Sequence, residues 1–192
     1  MATNVEKDLA RLREIAGEVN DIDHALAVIS WGQMVMMPSG GAEARGAASE
    51  TLAKIGHDKI TAAEVGQLTE RLMPWAETQP EDSIDRCLVE RIAHDFDRER
   101  RVPSALAGEL AGFEAVTVPV WLEAREKKDY TIFAPALQKA VDLQNRVIEC
   151  FPPTESSYDV LLENSQIGMT TAEVKSLFDQ VRDGLKPLIQ RV

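Results

Sequence analysis

Residues 4–36 read NVEKDLARLREIAGEVNDIDHALAVISWGQMVM, and within them Leu9, Leu12, Ala16, Val19, Ile22, Leu26 and Ile29 return every three or four positions. That interval matches the turn of an α-helix and lays the apolar side chains along one stripe, with charged residues between them. At about 1.5 Å per residue such a helix runs roughly 45 Å, long for an element that only has to cover a small domain. Pro38-Ser39-Gly40-Gly41 ends it, because proline lacks a backbone donor and paired glycines favour a turn.

Outward from that helix, the same periodicity predicts seven more. Ala42 to His57 forms the second. Thr61 and Glu64 stand at capping-box spacing and open a third, which ends near Met73 and Pro74. Glu81 to Arg101 is the fourth, with Asp82 and Asp85 in its first turn and Arg98, Arg100 and Arg101 in its last, each opposing the helix dipole. Pro103-Ser104 begins a fifth that runs to about Lys128, with Pro119 inside it to kink it. A sixth spans Ala134 to Phe151, with Pro135 at a tolerated first-turn position and Pro152-Pro153 closing it.

Ser157 to Asn164 is a short seventh helix, and Thr170 with Glu173 repeats the capping-box spacing to open an eighth, Ala172 to Arg191. No period-2 run of β-branched residues exceeds four positions. The expected fold is all-α: residues 1–192 as a single bundle-like array of about eight helices, one domain with a long N-terminal helix. Leu185, Leu188, Ile189 and Val192 lie on nearby faces of the last helix. An amphipathic helix of this kind points to a partner surface outside itself, either a second chain or a C-terminal portion.

Composition bounds the function. The 192 residues are 44% hydrophobic and 28% charged, enough apolar material for a real core. Lysine plus arginine number 21 against 32 aspartates and glutamates, a formal charge of -11. That balance argues against nucleic acid, which is gripped through clustered Lys and Arg, and against an anionic membrane surface. No apolar run approaches the roughly 18 residues that span a bilayer. Met1 to Asp8 lacks the apolar stretch of a secretory signal, so the expected location is cytoplasmic. Cys87 and Cys150 sit in separate apolar-periodic stretches with no CxxC or Cys/His cluster; both are expected to be reduced and buried.

Catalytic motifs are scarce. His24, His57 and His94 are the only histidines, and none belongs to an H-E-x-x-H, which would place two imidazoles one turn apart with a glutamate beside the metal-bound water. Asp21, Asp23 and His24, and likewise His94, Asp95 and Asp97, are sequence neighbours that point in different directions on a helix and read as solvated faces. Gly40-Gly41 is followed by no Gly-Lys-Ser/Thr, and no G-x-S-x-G elbow occurs. Trp31, Met34, Met36 and Met37 form an apolar cluster expected to fill core, with an adaptable binding groove as the alternative. Trp75 and Trp121 are expected to be packing anchors. The Arg98–Arg101 stretch reads as a solvated helix end.

Ser30-Trp31-Gly32-Gln33-Met34-Val35-Met36-Met37-Pro38-Ser39-Gly40-Gly41-Ala42-Glu43-Ala44-Arg45 closely resembles a pattern, approximately W-D-Q-x-x-M-M-P-x-G-G-A-x-x-R, near the start of the M32 (carboxypeptidase Taq, thermostable carboxypeptidase) metallopeptidases. His57 and Thr61 to Gly66 fit that family's next helices, and Val102-Pro103 with Leu106 resembles its V-P-x-x-L helix start. Trp121, Ala124, Arg125, Asp129, Tyr130, Phe133, Pro135 and Leu137 match W-x-x-A-R-x-x-x-D-[FY]-x-x-F-x-P-x-L. Tyr158-Asp159 with Leu161-Leu162, then Gly168-Met169-Thr170, resembles Y-D-x-L-L followed by G-M-T.

The resemblance spans nearly the whole chain but only the N-terminal portion of the family, less than half of a full member. It implies a helical, cytosolic, usually dimeric metallocarboxypeptidase that removes C-terminal residues with broad specificity. Zinc or a related divalent ion lies in its deep groove, and the N-terminal helices wall and cover that groove. The ion would activate a water for attack on the last peptide bond by lowering its pKa toward about 7. The family's H-E-x-x-H and downstream glutamate have no counterpart here, so no residue inherits a metal or catalytic role, and no cofactor is expected in this chain.

The groove or structural positions that carry over are Trp31, Gln33, Met37, Pro38, Gly40, Gly41, Arg45, Trp121, Arg125 and Tyr158. Two departures remove acid: Gly32 stands where the family usually has Asp, and Gln166, within Glu163 to Gly168, stands for an acid in a segment closer to D-x-Y-E-P-G. Two functions compete. One is the groove-covering portion of a metallocarboxypeptidase, inactive without its metal-bearing remainder. The other is a stand-alone, non-enzymatic helical module that binds a peptide or protein. Expected partners are a second copy in a homodimer, a missing C-terminal catalytic portion, or a peptide.

Overall fold

A computed structural model describes residues 2–191, with the side chains of all of these except Ala2, Thr3 and Ser39. Among them the secondary structure is helical with no strands, as expected. The eight α-helices are α1 (Ala2–Met36), α2 (Ala42–Ile60), α3 (Ala63–Ala76), α4 (Ile84–Glu99), α5 (Ser104–Lys127), α6 (Tyr130–Ile148), α7 (Tyr158–Leu162) and α8 (Thr171–Ile189). A 3-10 turn, Ser39–Gly41, links α1 to α2. The chain packs as two compact units, Met1–Leu143 and Gln144–Val192.

In the first unit, the α1 stripe delivers Leu9, Leu12 and Ile15 to a core completed by Val65, Leu68, Leu72 and Ala76 of α3 and Val89 and Ile92 of α4. Leu12, Val65 and Val89 are fully enclosed. Trp75 and Phe96 pack against this cluster from partly buried positions. Ion pairs rim it: Arg11 reaches Glu64 at 2.8 Å, and Arg71 reaches Asp8 at 2.8 Å. These hold exposed side chains and contribute little individually.

α2 packs chiefly against α5 and α1. Its approach to α5 is close because glycines face one another there: a Cβ on Gly46 would lie 3.1 Å from the Gly112 carbonyl oxygen, and one on Gly112 would lie 3.3 Å from that of Gly46. By length and composition α5 is apolar enough to cross a membrane, which corrects the expectation that no stretch is. It carries Glu109 and Glu114 and buries Leu106, Gly108, Ala115 and Ala124.

Several expected helix ends move. Thr61 does not cap α3. It follows the last residue of α2, where its hydroxyl donates to the His57 carbonyl at 2.7 Å, and Ala62 precedes α3 without a side-chain cap. Glu64 is drawn instead to Arg11, so the ion pair prevails over the capping box. Asp82, Arg100 and Arg101 lie outside α4, and both arginines pair with Asp97, at 2.6 and 2.9 Å. α6 begins at Tyr130 because the Asp129 carboxylate accepts the Thr131 N–H at 2.9 Å; Pro135 therefore sits inside the helix, not in its first turn. Lys128, just past the end of α5, has a φ of 53°, the left-handed turn that closes a helix.

In the second unit, Val160 and Leu162 of α7 are buried. The Asp159 carboxylate accepts the Thr171 N–H at 2.7 Å and so joins α7 to the start of α8. The capping box at Thr170 and Glu173 forms as the spacing predicts: Thr170 accepts from the Glu173 N–H at 3.3 Å, and the Glu173 carboxylate accepts from the Thr170 N–H at 2.8 Å. Neither cysteine is buried. Cys87 is exposed on α4 and Cys150 is half-buried in the turn after α6, both as thiols, and each bonds a local carbonyl.

Candidate functional site

The motif around Trp31 occupies the end of α1, the 3-10 turn and the first turns of α2. Pro38 enters the turn in extended backbone, and its carbonyl accepts the Gly41 N–H at 2.9 Å. Gly41 is small for a reason: a Cβ there would lie 3.0 Å from Met37 Cγ. A Cβ on Gly40 would meet nothing within 4 Å. Arg45 folds back from α2 and donates from Nη1 to the Ile29 carbonyl at 3.0 Å. The same guanidinium lies 3.0 Å from where a Gly32 Cβ would be, so it occupies the volume a side chain at position 32 would take.

Gln33 donates across to the Ala115 carbonyl of α5, tying α1 to the helix opposite. Beneath it lies a cavity of about 130 Å³ lined by Leu26, Gln33, Met34, Ser49, Glu114 and Ala115 among others, smaller than a typical ligand pocket. The methionine and tryptophan cluster is not core filler, as the sequence led us to expect. Trp31 is 61% exposed, Met34 75% and Met36 74%. Together they leave an apolar tip at the end of α1. Further along α5, Trp121 is 42% exposed, and Arg125 stacks over its ring at 5.2 Å. Tyr158 belongs to the second unit, exposed at the first position of α7.

The structure also assembles a group that single-sequence reasoning missed. Between α1, α2 and α4 lies a cavity of about 360 Å³ lined by Asp23, His57, Arg91, Asp95 and Glu99 together with apolar side chains. His57 Nε2 donates to the Glu99 carbonyl at 3.0 Å and lies 3.9 Å from its carboxylate. His57 Nδ1 is buried without a hydrogen-bond partner, 3.7 Å from Asp58. Arg91 pairs with Asp95 at 2.7 Å.

Burial pushes the carboxyl of Glu99 above its ordinary value, against the opposing pull of His57, with Asp95 and Asp23 adding to the rise. Burial raises Asp23 as well. Only the three-helix packing brings these groups together. The available signal was positional: His57 sits in the last turn of α2 and Glu99 ends α4.

The zinc implied by the family resemblance does not fit the residues present. His24, His57 and His94 belong to three different helices, and among the described residues no three His, Cys, Asp or Glu side chains converge on a point that could hold an ion. What the arrangement offers is an apolar tip, an arginine-braced turn and an acidic cavity in which burial raises the pKa of Glu99 and Asp23.

Comparison with known proteins gives the context. Thermostable carboxypeptidase 1 of Thermus thermophilus is 30% identical over 175 residues, covering 86% of this chain and 34% of that protein. Thermostable carboxypeptidase 1 of Pyrococcus furiosus is 27% identical over 188 residues, covering 98% of this chain and 36% of that protein. A solved structure of the Pyrococcus furiosus carboxypeptidase superposes with a TM-score of 0.73 at 27% identity, over 97% of this chain and 36% of its own. The chain thus spans about a third of the length of the relatives it matches. Residues 11–192 match the family described as carboxypeptidase Taq (M32) metallopeptidase. With the helical order, the Trp31–Arg45 motif and this match in agreement, the chain belongs to the carboxypeptidase Taq (M32) metallopeptidase family.

Proposed function

We propose that this chain is the groove-covering N-terminal part of a metallocarboxypeptidase and that by itself it hydrolyses no peptide. One observation carries the reading. The chain matches a third of its relatives' length, and the described residues of that third bring no three metal-binding side chains together. Its contribution is shape: the exposed Trp31, Met34 and Met36 tip and the Trp121–Arg125 stack offer apolar and cationic surface toward a peptide or a neighbouring polypeptide.

The test is elemental analysis of the purified chain alongside release of C-terminal amino acids from a peptide. The expected result is no stoichiometric zinc and no release. About one metal per chain with chelator-sensitive release overturns the proposal.

A second reading is supported by the closed core of α1, α3 and α4, with Leu12, Val65 and Val89 fully enclosed. A unit that fills its own core can fold alone and serve as a non-enzymatic peptide- or protein-binding module. Cooperative unfolding of the isolated chain supports that reading, and a molten, non-cooperative transition opposes it.

A further inference from the structure

His57 lies in the last turn of α2, and its side chain is only 7% exposed. Its Nε2 bonds the Glu99 carbonyl at 3.0 Å. A carbonyl can only accept, so Nε2 carries the proton of the neutral ring and Nδ1 is left as a bare lone pair. Among the described residues, that Nδ1 is the one buried side-chain nitrogen or oxygen without a hydrogen-bond partner. Buried polar groups are normally paired, and this one holds a vacant position for a proton.

The groups that face the ring favour a positive charge on it. Asp58 Oδ1 lies 3.7 Å from Nδ1, and Glu99 Oε2 lies 3.9 Å from Nε2. The imidazole stands at the carbonyl end of its own helix and bonds the carbonyl that ends α4, so two helix dipoles present their negative ends to it. From α1 the cavity beside the ring receives Asp23, and from α4 it receives Arg91 and Asp95, which pair with each other at 2.7 Å. α5 adds Ala107, which carries no charge. Arg11 and Lys59, which share a surface cavity with Asp58, are engaged by Glu64 and Glu18.

We propose that His57 is a proton-operated latch: a proton taken up at Nδ1 draws the Asp58 carboxylate onto that nitrogen and fastens the last turn of α2 to the end of α4, and loss of the proton releases Asp58. The step needs little movement. Asp58 is 68% exposed, and its carboxylate has to close less than about 1 Å to reach hydrogen-bond distance. The neutral ring offers Nδ1 no donor role, so nothing then holds Asp58 there.

The sign of the pH dependence follows. The contribution of the latch is present while the imidazole is charged and fades as rising pH strips its proton. At the acid end, the attraction from Glu99 disappears when that carboxyl, its pKa raised by burial, takes up a proton of its own. The latch is therefore closed in a mildly acidic window and looser on either side of it.

The test follows the imidazole Cε1–H resonances of the full chain by NMR across this range, assigned with His24→Gln and His94→Gln, in wild type and in Asp58→Asn. The expected result is a His57 titration midpoint lower by about half a unit in Asp58→Asn, a modest shift because Asp58 is mostly exposed. His24 and His94 keep their midpoints. The Tm difference between wild type and Asp58→Asn grows as pH falls from about 7.5 to about 5.5. Because the Asp58 side chain is exposed, this variant keeps the wild-type circular dichroism. A His57 ring that takes up no proton above about pH 5, a midpoint unchanged by Asp58→Asn, or a Tm difference independent of pH each overturns the proposal.

Discussion

Gly32 is the position where restoring the family's aspartate should increase stability, and Arg45 is the reason. In Gly32→Asp the new Cβ meets Arg45 Nη1 at 3.0 Å, the mobile end of a flexible side chain that can withdraw by a few tenths of an ångström. Arg45 then exchanges its bond to the neutral Ile29 carbonyl, now 3.0 Å, for a carboxylate. Removing a helix-interior glycine in favour of aspartate is worth about 0.3 kcal/mol. A partly exposed ion pair adds roughly 0.5–1 kcal/mol. Acid near a helix C-terminus costs about 0.3 kcal/mol, small because position 32 lies just before the last turn of α1.

The net gain is about 0.5–1 kcal/mol, which for a chain of this size is a rise in Tm of roughly 1–4 °C. The assay is thermal and urea unfolding of wild type, Gly32→Asp, Arg45→Ala and the double variant, followed at 222 nm. A coupling of about 1 kcal/mol between the two positions is expected. If Gly32→Asp lowers Tm, or stabilises equally in the Arg45→Ala background, Arg45 does not act on position 32 as described.

Leu12→Ala should cost about 2–5 kcal/mol in urea unfolding, since Leu12 is fully enclosed among α1, α3 and α4; a cost below about 1 kcal/mol would mean that the core does not close there. Gly17→Ala, on an open stretch of α1 with nothing within 4 Å of the new Cβ, should stabilise by roughly 0.5–1 kcal/mol. Gly46→Ala should instead destabilise by about 1 kcal/mol, because its Cβ would press on the Gly112 carbonyl at 3.1 Å; equal effects at the two glycines would refute the close α2–α5 approach. Burial raises the Glu99 pKa above its unfolded value, so the protonated form favours the fold and that contribution is lost as pH rises through the folded pKa. Glu99→Gln should therefore be neutral near pH 4 and stabilising at pH 7, and the opposite order in Tm would contradict burial as the dominant cause.

The amino-acid sequence by itself determined what depends on neighbours along the chain. The 3.6-residue recurrence of Leu9, Leu12, Val19 and Ile22 marks α1, and Thr170 with Glu173 marks the start of α8, because each signal acts within a turn or two of helix. The Trp31–Arg45 stretch, read as a pattern, led to the family that residues 11–192 match.

Packing decided the rest, because it depends on residues that come together from distant parts of the chain. Glu64 abandons Thr61 for Arg11, 53 positions away, since a guanidinium in reach is a stronger partner than a backbone N–H. Met34 and Met36 fill no core because their side chains face outward from the end of α1, a fact no local pattern records. Asp23, His57 and Glu99 share a cavity only because α1, α2 and α4 meet there, and the Gly32 vacancy is filled by an arginine from another helix.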